Sequence, residues 1–313
     1  MGDININTIK FNNSILVGEK IMDKDMGEKT LSRKVAIVPG AIRGIGLEIA
    51  RELGREGAHL VLPTYDWLDD LPFMKAALDE LGVRYVEFHA DLREEREARN
   101  VVEVAKEEFG RIDILINNIE RGGWPVVHGP YTEEQWRLEW ETTVDAKWHL
   151  FKNALPHLKK TCGCVINITS IAGLVGRSGP AGLVFNDGYS AANRAVSALT
   201  EQWAREGAPE VRVNEIQLGF FETRHGPATR GWGILSDEER QAILDHTLVR
   251  RVGRPQEVAK AVSFLVKECP FMTGATLRLD GGYLLGGERV PPMPEGVVEP
   301  GEPTFGGTIP PGG

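Results

Sequence analysis

Three glycines with a spacing suited to phosphate binding occur in the run Gly40-Ala41-Ile42-Arg43-Gly44-Ile45-Gly46. The run follows a β-branched stretch that starts after Arg33 and opens an amphipathic stretch that ends at Arg55. Glycines at such a turn let the backbone approach a pyrophosphate, and the helix N-terminus supplies unpaired N–H groups and the positive end of its dipole. The spacing alone is a weak signal, but its place between a strand and a helix predicts a nucleotide-binding turn.

The elements that must position this turn alternate regularly between Arg33 and Gly282. Apolar strands alternating with helices indicate a parallel sheet covered on both faces, and right-handed crossovers make it doubly wound. The fold class is therefore α/β with a doubly wound parallel sheet. The predicted strands are Val35–Val38, His59–Leu62, Tyr85–His89, Ile112–Ile116, Val165–Ile168, Val211–Ile216 and Thr276–Leu279. The predicted helical stretches include Ile45–Arg55, Glu94–Phe109, Glu133–Lys160, Ala191–Glu206 and Pro255–Lys267.

The chain divides into three parts by composition. Residues 1–31 are polar and weakly patterned and form an N-terminal extension, and residues 32–290 form a single domain. Residues 291–313 contain seven prolines and six glycines without any Lys or Arg, so this tail cannot build a core of its own. It is either a disordered end or an arm on a neighbouring subunit, and its four scattered apolar anchors slightly favour the arm.

Composition also restricts the compartment and the partners. A net charge of −9 argues against nucleic acid or an anionic membrane surface as a partner. Three cysteines without paired spacing indicate a reducing compartment, and Cys162-Gly163-Cys164 is too short for a Cys-x-x-Cys metal or redox site. No stretch approaches the ~20 apolar residues of a membrane span, and the N-terminus does not resemble a secretory signal. We therefore expect a cytoplasmic protein without a metal site.

Five further runs carry a resemblance to one enzyme family, and together with the glycine turn they are very specific. They are Asp91-Leu92, Arg111–Asn118 with its Asn-Asn ending, Asn167–Gly173, Tyr189–Ala195 and Asp280-Gly281-Gly282. This set, spread over most of residues 33–282, resembles the short-chain dehydrogenase/reductase (SDR) family. The resemblance implies a Rossmann-like domain that binds a nicotinamide cofactor.

The resemblance implies an NAD(P)-dependent oxidoreductase acting on an alcohol/carbonyl pair. Ser170 would polarise the carbonyl oxygen, and Tyr189 would donate or accept the proton. Asp91, followed by Leu92, would bind the adenine. The implied cofactor-binding residues are Gly40, Arg43, Gly44, Ile45, Gly46, Asp66, Asp91, Leu92, Asn118 and Gly219.

Two positions of the implied catalytic set depart from the family. Asn193 stands where the family has the Lys that lowers the pKa of the Tyr and holds the nicotinamide ribose. Asn can hydrogen-bond a ribose but cannot supply the charge. Thr143 stands where the family has Asn. Lys147, one turn after Thr143, and Arg194, about 100° round the helix from Asn193, are candidate replacements, although a structural charge is the commoner role.

The cofactor side departs as well. Pro39 replaces a Thr, Ile119-Glu120 replaces Ala-Gly, and Leu218 replaces the Pro before Gly219. A carboxylate ~4 Å from a diphosphate costs on the order of 4 kcal/mol at a surface-like dielectric, so cofactor binding is expected to be weak or lost. Asp66 after the second strand can bind ribose hydroxyls and slightly favours NAD over NADP, and its alternative role is a solvated turn residue.

Extra residues at the substrate mouth are expected either to enlarge it or to cover it. Nineteen positions separate Ser170 from Tyr189, a longer interval than the family has. The segment 219–247 with His225 and Trp232 would cover the substrate, and Trp124 would line the opposite wall. Trp and Arg side chains there suit an anionic or aromatic substrate, whereas core or interface packing is the competing role of the Trp residues.

Two functions from different classes remain open at this point. The first is an atypical oxidoreductase that acts on a small molecule and assembles as a homo-oligomer through its two long helices. The second is a non-catalytic subunit that keeps the fold and pairs with an active homologue. The retained glycines, Ser170 and Tyr189 favour the enzyme, and the replacements at Thr143 and Asn193 favour the subunit.

Overall fold

A seven-stranded parallel sheet forms the centre of the protein in the computed structural model, which describes residues 30–120, 132–223, 232–233 and 235–287. The spatial order of the strands is β3-β2-β1-β4-β5-β6-β7, and all the pairs are parallel. The strands are β1 Val35–Ile37, β2 His59–Thr64, β3 Tyr85–His89, β4 Ile114–Asn117, β5 Cys164–Ser170, β6 Arg212–Leu218 and β7 Thr276–Leu279. The predicted doubly wound α/β class is thereby confirmed.

Helices connect the strands and cover both faces of the sheet. The helices are α1 Gly44–Arg55, α2 Leu71–Asp79, α3 Glu95–Phe109, α4 Glu133–Trp140, α5 Ala146–Thr161, α6 Ala172–Val175, α7 Asp187–Gly207, α8 Asp237–His246 and α9 Pro255–Lys267. On one face, Leu53 of α1 and Val262 of α9 belong to the same buried apolar cluster. On the other face, α3, α5 and α7 share a second cluster, in which Phe151 stacks on Trp203 at 4.5 Å. Burial on both faces explains why the strands are apolar without alternation.

The strand order reverses between β1 and β4, since the chain runs outward from β1 to β3 and then returns to β4. In doubly wound sheets, ligands bind in the crevice outside the carboxyl ends of the strands at such a reversal. Buried amides reinforce the sheet at this place: Asn117 Nδ2 donates to Asn167 Oδ1 across β4 and β5 at 2.8 Å. The fold therefore predicts the position of a binding site before any side chain in it is considered.

The helix predicted over 133–160 is interrupted in the structure. Five residues, Glu141–Asp145, form a π turn between α4 and α5. The β-branched pair Thr142-Thr143 favours the distortion, because Thr142 Oγ1 donates to Leu138 O at 2.7 Å and competes with the helical ladder. π turns inside helices often occur at functional sites, and this one contains Thr143.

The other elements differ from the sequence prediction mainly at their ends. Strand β4 begins at Ile114 and reaches Asn117, and β5 extends as far as Ser170. Helices α2, α6 and α8 are not among the helical stretches that the sequence prediction names. Most of the predicted extension at residues 1–31 and the tail at 291–313 lie outside the described residues, so both assignments stay predictions. Within the described ranges, no helix is long and apolar enough to cross a membrane.

Candidate active site

A cleft of about 890 Å³ opens at the carboxyl ends of the central strands. It extends from the loop after β2, past the N-terminus of α1, to the ends of β5 and β6. Among the residues that line it are Gly40, Arg43, Asp66, Asp91, Asn118, Glu120, Ser170, Tyr189 and Gly219. The cleft thus joins the predicted nucleotide-binding turn to the predicted catalytic hydroxyl groups.

The glycine turn packs too tightly for any side chain at two of its positions. A Cβ atom on Gly46 would lie 2.1 Å from Gly40 O, and one on Gly40 would lie 2.5 Å from Asn118 O. Gly40 also has a φ of +66°, which L-residues with side chains rarely adopt. Asn118 Nδ2 donates to Pro39 O at 3.4 Å, so Pro39 still contributes its carbonyl to the turn. These contacts bring the start of α1 against the end of β4.

The N-terminus of α1 fits a diphosphate group. Gly44, Ile45 and Gly46 line the cleft, and the first amides of any helix have no intrahelical acceptor. The first turn contains no acidic residue, and within the described part of the chain the Arg43 side chain does not cap the helix. Arg43 instead pairs with Asp70 at 3.2 Å and lies over the Trp67 ring at 4.5 Å. The helix dipole and open amides therefore favour an anion here.

The other end of the nucleotide groove contains a carboxylate held by an arginine. Arg93 donates to both oxygens of Asp91, at 2.9 Å from Nε and 2.6 Å from Nη2, and also reaches the Tyr65 hydroxyl at 3.0 Å. The Arg93 guanidinium lowers the pKa of Asp91, partly against the opposing effect of burial. Leu92 is buried beside it, and Asp66 is exposed at the rim. Sequence reasoning missed Arg93, although it stands only two positions after Asp91.

Ser170 and Tyr189 face the same part of the cleft, as their predicted roles require. Ser170 ends β5, and its Oγ accepts a hydrogen bond from Ala172 N at 3.1 Å. Tyr189 lies in the first turn of α7, where Asn186 caps the helix by accepting from Tyr189 N at 2.9 Å. Burial and then the nearby Glu120 charge raise the pKa of Tyr189 well above its ordinary value, while a hydrogen bond with Ser170 opposes this. At neutral pH Tyr189 is therefore a phenol that can donate a proton.

Asn193 connects α7 to β5. Its Oδ1 accepts from Ser170 N at 2.9 Å, and its Nδ2 donates to Tyr189 O at 2.9 Å. The side chain is 0% exposed and is not among the residues that line the cleft. In this arrangement the amide oxygen joins the catalytic strand to the helix, the amide nitrogen bonds a carbonyl of the same helix, and neither atom is directed at a cofactor ribose.

Thr143, predicted at the position of the family's Asn, is buried in the π turn. Its Oγ1 donates to Glu139 Oε1 at 2.6 Å. One turn later, Lys147 is 0% exposed, and its Nζ donates to Ile119 O at 2.7 Å. Burial lowers the pKa of Lys147 to about 8, while the charges of Glu120, Glu139 and Glu215 raise it. A buried ammonium group thus lies one turn after Thr143 and binds the backbone just before Glu120.

Glu120, which replaces a family glycine, contacts the catalytic tyrosine. Tyr189 Oη donates to Glu120 Oε1 at 2.8 Å. The sequence showed only that this carboxylate follows β4 and placed it against the diphosphate. The structure pairs it with a phenol, and 69 positions separate the two residues in the chain. No local sequence signal indicates such a pair.

The substrate side is described only in part. Gly219 lies at the end of β6, where a Cβ atom would stand 2.7 Å from Asp280 Cα, so the close approach of these loops requires glycine. Trp232 is buried in an apolar cluster with Phe220 and Tyr189. Trp124 and His225 lie outside the described residues, and their substrate roles stay predictions.

Comparison with known proteins shows that the chain is similar to reductases and dehydrogenases. Residues 40–284 match the family model described as Enoyl-(Acyl carrier protein) reductase. The match begins at the first glycine of the turn and ends just after Tyr283, so it includes six of the seven strands, β2 to β7.

Curated relatives and solved structures match over most of their length. The chain is 36% identical to ketoacyl reductase 2 assigned to the granaticin polyketide synthase of Streptomyces violaceoruber, over 79% of this chain and 95% of that protein. It is 34% identical to the 3-oxoacyl-[acyl-carrier-protein] reductase of Vibrio cholerae, over 82% and 99%. A solved structure from Sinorhizobium meliloti 1021, assigned to the short-chain alcohol dehydrogenases, matches with a TM-score of 0.73 and 26% identity, over 83% and 100%.

Proposed function

The chain belongs to the short-chain dehydrogenase/reductase family, and from this premise we propose that it is an oxidoreductase that interconverts an alcohol and a carbonyl compound. The observation that carries the proposal is that the Ser170 and Tyr189 hydroxyls face the same cleft as the N-terminus of α1. A nucleotide bound along that cleft would reach from the helix amides to the two hydroxyl groups.

A nicotinamide cofactor suits the groups that line the cleft. Gly44, Ile45 and Gly46 would hold its diphosphate through backbone amides, and Asp91 would contact the adenine side. When bound, the nicotinamide supplies or accepts a hydride at the substrate carbon. Glu120 should repel a diphosphate less than its charge alone suggests, because its carboxylate contacts Tyr189 and lies near the Lys147 ammonium.

NAD remains the favoured cofactor for an electrostatic reason. Three carboxylates, those of Asp66, Asp70 and Asp91, line the adenine end of the cleft against the two guanidinium groups of Arg43 and Arg93. Both guanidinium groups already have carboxylate partners. A doubly charged 2′-phosphate would therefore enter a region without surplus positive charge among the described residues.

Ser170 and Tyr189 would carry out the proton chemistry. Ser170 would donate a hydrogen bond to the carbonyl oxygen and polarise it, and Tyr189 would give that oxygen its proton during reduction. The two side chains are at most 5% exposed, so water would not compete strongly for these hydrogen bonds once a substrate occupies the cleft.

Turnover assays with both nicotinamide cofactors test this proposal. The relatives include the 3-oxoacyl-[acyl-carrier-protein] reductase, a glucose 1-dehydrogenase and a meso-2,3-butanediol dehydrogenase, and their names suggest three substrate classes, namely 3-oxoacyl thioesters, hexoses and vicinal diols. We expect NAD-linked turnover of at least one class, and Tyr189→Phe should reduce it about 10²- to 10⁴-fold. Tyr85→Phe, on β3 outside the cleft, is the matched control and should leave turnover unchanged. Equal activity of the Tyr189→Phe variant and the wild type would refute the assigned role.

A non-catalytic subunit is the second candidate, and the hydrogen bonds of Asn193 favour it. Both polar atoms of Asn193 serve the protein interior, where the family has a catalytic Lys. This candidate predicts no turnover by the isolated chain with either cofactor. It also predicts that a complex with an active homologue works equally well when this chain carries Tyr189→Phe.

A further inference from the structure

The hydrogen bond between Tyr189 and Glu120 gives the catalytic tyrosine a carboxylate partner within the cleft. The Tyr189 Oη donates to Glu120 Oε1 at 2.8 Å, and both residues line the cleft. Tyr189 is 3% exposed, so the bond lies in a region of low dielectric, where it is stronger than in water. A proton located between these two oxygens can move from one to the other without entering solvent.

A buried lysine holds the backbone that carries Glu120. Lys147 Nζ donates to the carbonyl oxygen of Ile119, the residue that precedes Glu120, at 2.7 Å. The Glu120 charge is the first of the carboxylates that favour the Lys147 ammonium. Lys147 therefore fixes the position of the Glu120 backbone and offsets its negative charge.

Two other buried carboxylates, those of Glu139 and Glu215, also act on the charge of Lys147. Their hydrogen-bond partners differ from that of Glu120. Glu139 on α4 accepts from Thr143 Oγ1, and Glu215 on β6 accepts from Ser197 Oγ at 2.7 Å and Thr276 Oγ1 at 2.9 Å. Aliphatic hydroxyl groups do not ionise in this pH range, so those hydrogen bonds do not exchange a proton. Glu120 is the carboxylate that these contacts pair with a reactive phenol.

We propose that Glu120 is the proton acceptor and donor of Tyr189, with Lys147 as the residue that positions it. The pair gives the tyrosine proton a place to go at a site where Asn193 replaces the family's lysine, and the inference rests on the oxidoreductase function proposed above. In alcohol oxidation, a bound oxidised nicotinamide would supply the hydride acceptor for the carbinol carbon, and the hydroxyl proton of the alcohol would move to Tyr189 Oη. Tyr189 passes its own proton to Glu120 Oε1. The products are a carbonyl compound, a reduced nicotinamide and a protonated Glu120, and reduction runs the same transfers backward.

A tyrosine titration in the protein without cofactor tests the pair independently of turnover. The chain has five tyrosines, so carbon-13 at Cζ gives few NMR signals, and Tyr189→Phe identifies the one of interest. Glu120→Gln should lower the pKa of Tyr189 by about one to three units, because a negative charge at hydrogen-bonding distance is removed. Lys147→Met should raise it. Glu139→Gln is the matched control, since it removes a buried carboxylate that binds Thr143, and it should shift the Tyr189 signal much less.

The pH profile of alcohol oxidation supplies the second readout. In the wild type, kcat/KM should fall as Glu120 becomes protonated at low pH, whereas Glu120→Gln should lose this limb and about 10²-fold or more of the rate. An unchanged Tyr189 pKa in both Glu120→Gln and Glu120→Ala would overturn the proposal, as would an unchanged profile in an active Glu120→Gln enzyme. If Glu120→Gln shifts the Tyr189 pKa but the wild type shows no turnover, the shared proton is supported and the oxidoreductase function is refuted instead.

Discussion

Replacing Asn193 with alanine removes one hydrogen bond that joins helix α7 to the end of strand β5 and a second one within α7. The amide oxygen accepts from Ser170 N and the amide nitrogen donates to Tyr189 O, each at 2.9 Å and at 0% exposure. A buried backbone N–H without an acceptor costs about 1–3 kcal/mol, and the lost donor to a carbonyl costs about 0.5–1.5 kcal/mol. We therefore expect Asn193→Ala to lower the free energy of unfolding by about 2–4 kcal/mol.

Urea denaturation followed by circular dichroism measures this loss. With a slope of about 2–3 kcal/mol per molar urea, the midpoint should fall by about 1 M. Asn153→Ala is a matched control, because Asn153 Nδ2 donates to His149 O at 2.8 Å in α5, also four residues back, in a half-buried position. Asn153→Ala loses only a donor to a carbonyl oxygen, so its free energy of unfolding should fall by about 1 kcal/mol. Equal midpoints for the two variants would refute the structural role of Asn193.

The variant Asn193→Lys separates the structural role from the electrostatic one. Lysine also lacks an acceptor for Ser170 N, so the loss of stability should resemble that of Asn193→Ala. Its ammonium group, if it reaches the phenol, should lower the pKa of Tyr189 by about one to three units. A destabilised protein with a lowered Tyr189 pKa is the expected result, and unimpaired stability would contradict the hydrogen-bond argument.

Two further predictions concern the turn and the pH dependence of stability. Gly46→Ala should lower the free energy of unfolding by about 1–3 kcal/mol and abolish nucleotide binding in calorimetry, because its Cβ would lie 2.1 Å from Gly40 O. Gly233→Ala is the control and should change neither quantity, because no atom of the described residues lies within 4 Å of its Cβ position. Arg251 and the Arg254 backbone lower the pKa of Glu257 from 4.5 to about 2, so its contribution to stability is present above pH 4.5 and is lost as the pH falls through 2. Wild type should therefore exceed Glu257→Gln in thermal stability at pH 7, and a difference that persists unchanged below pH 2 would contradict this.

Local chemistry made several features predictable from the sequence. The glycine turn follows from spacing and flanking periodicity, since only glycine permits the φ of Gly40 and the approach of Gly46 to it. Parallel topology follows from apolar strands that alternate with helices, because such strands must be buried on both faces. Ser170 and Tyr189 line the same cleft because the end of β5 and the start of α7 both lie at the carboxyl edge of the sheet. The family resemblance is confirmed by the matches described above.

Other features depended on where distant backbone segments meet, and only the tertiary structure decided them. The π turn at Thr143 arises from hydrogen bonds that compete within a packed helix, and hydrophobic periodicity does not register one extra residue per turn. Asn193 Oδ1 and Lys147 Nζ each bind a backbone group on another element, namely Ser170 N and Ile119 O. The sequence predicts the charge of Glu120 but not its Tyr189 partner, because the end of β4 meets the start of α7 only after the sheet has formed. Burial then decides the chemistry, since the same phenol and carboxylate would each be solvated separately in an unfolded chain.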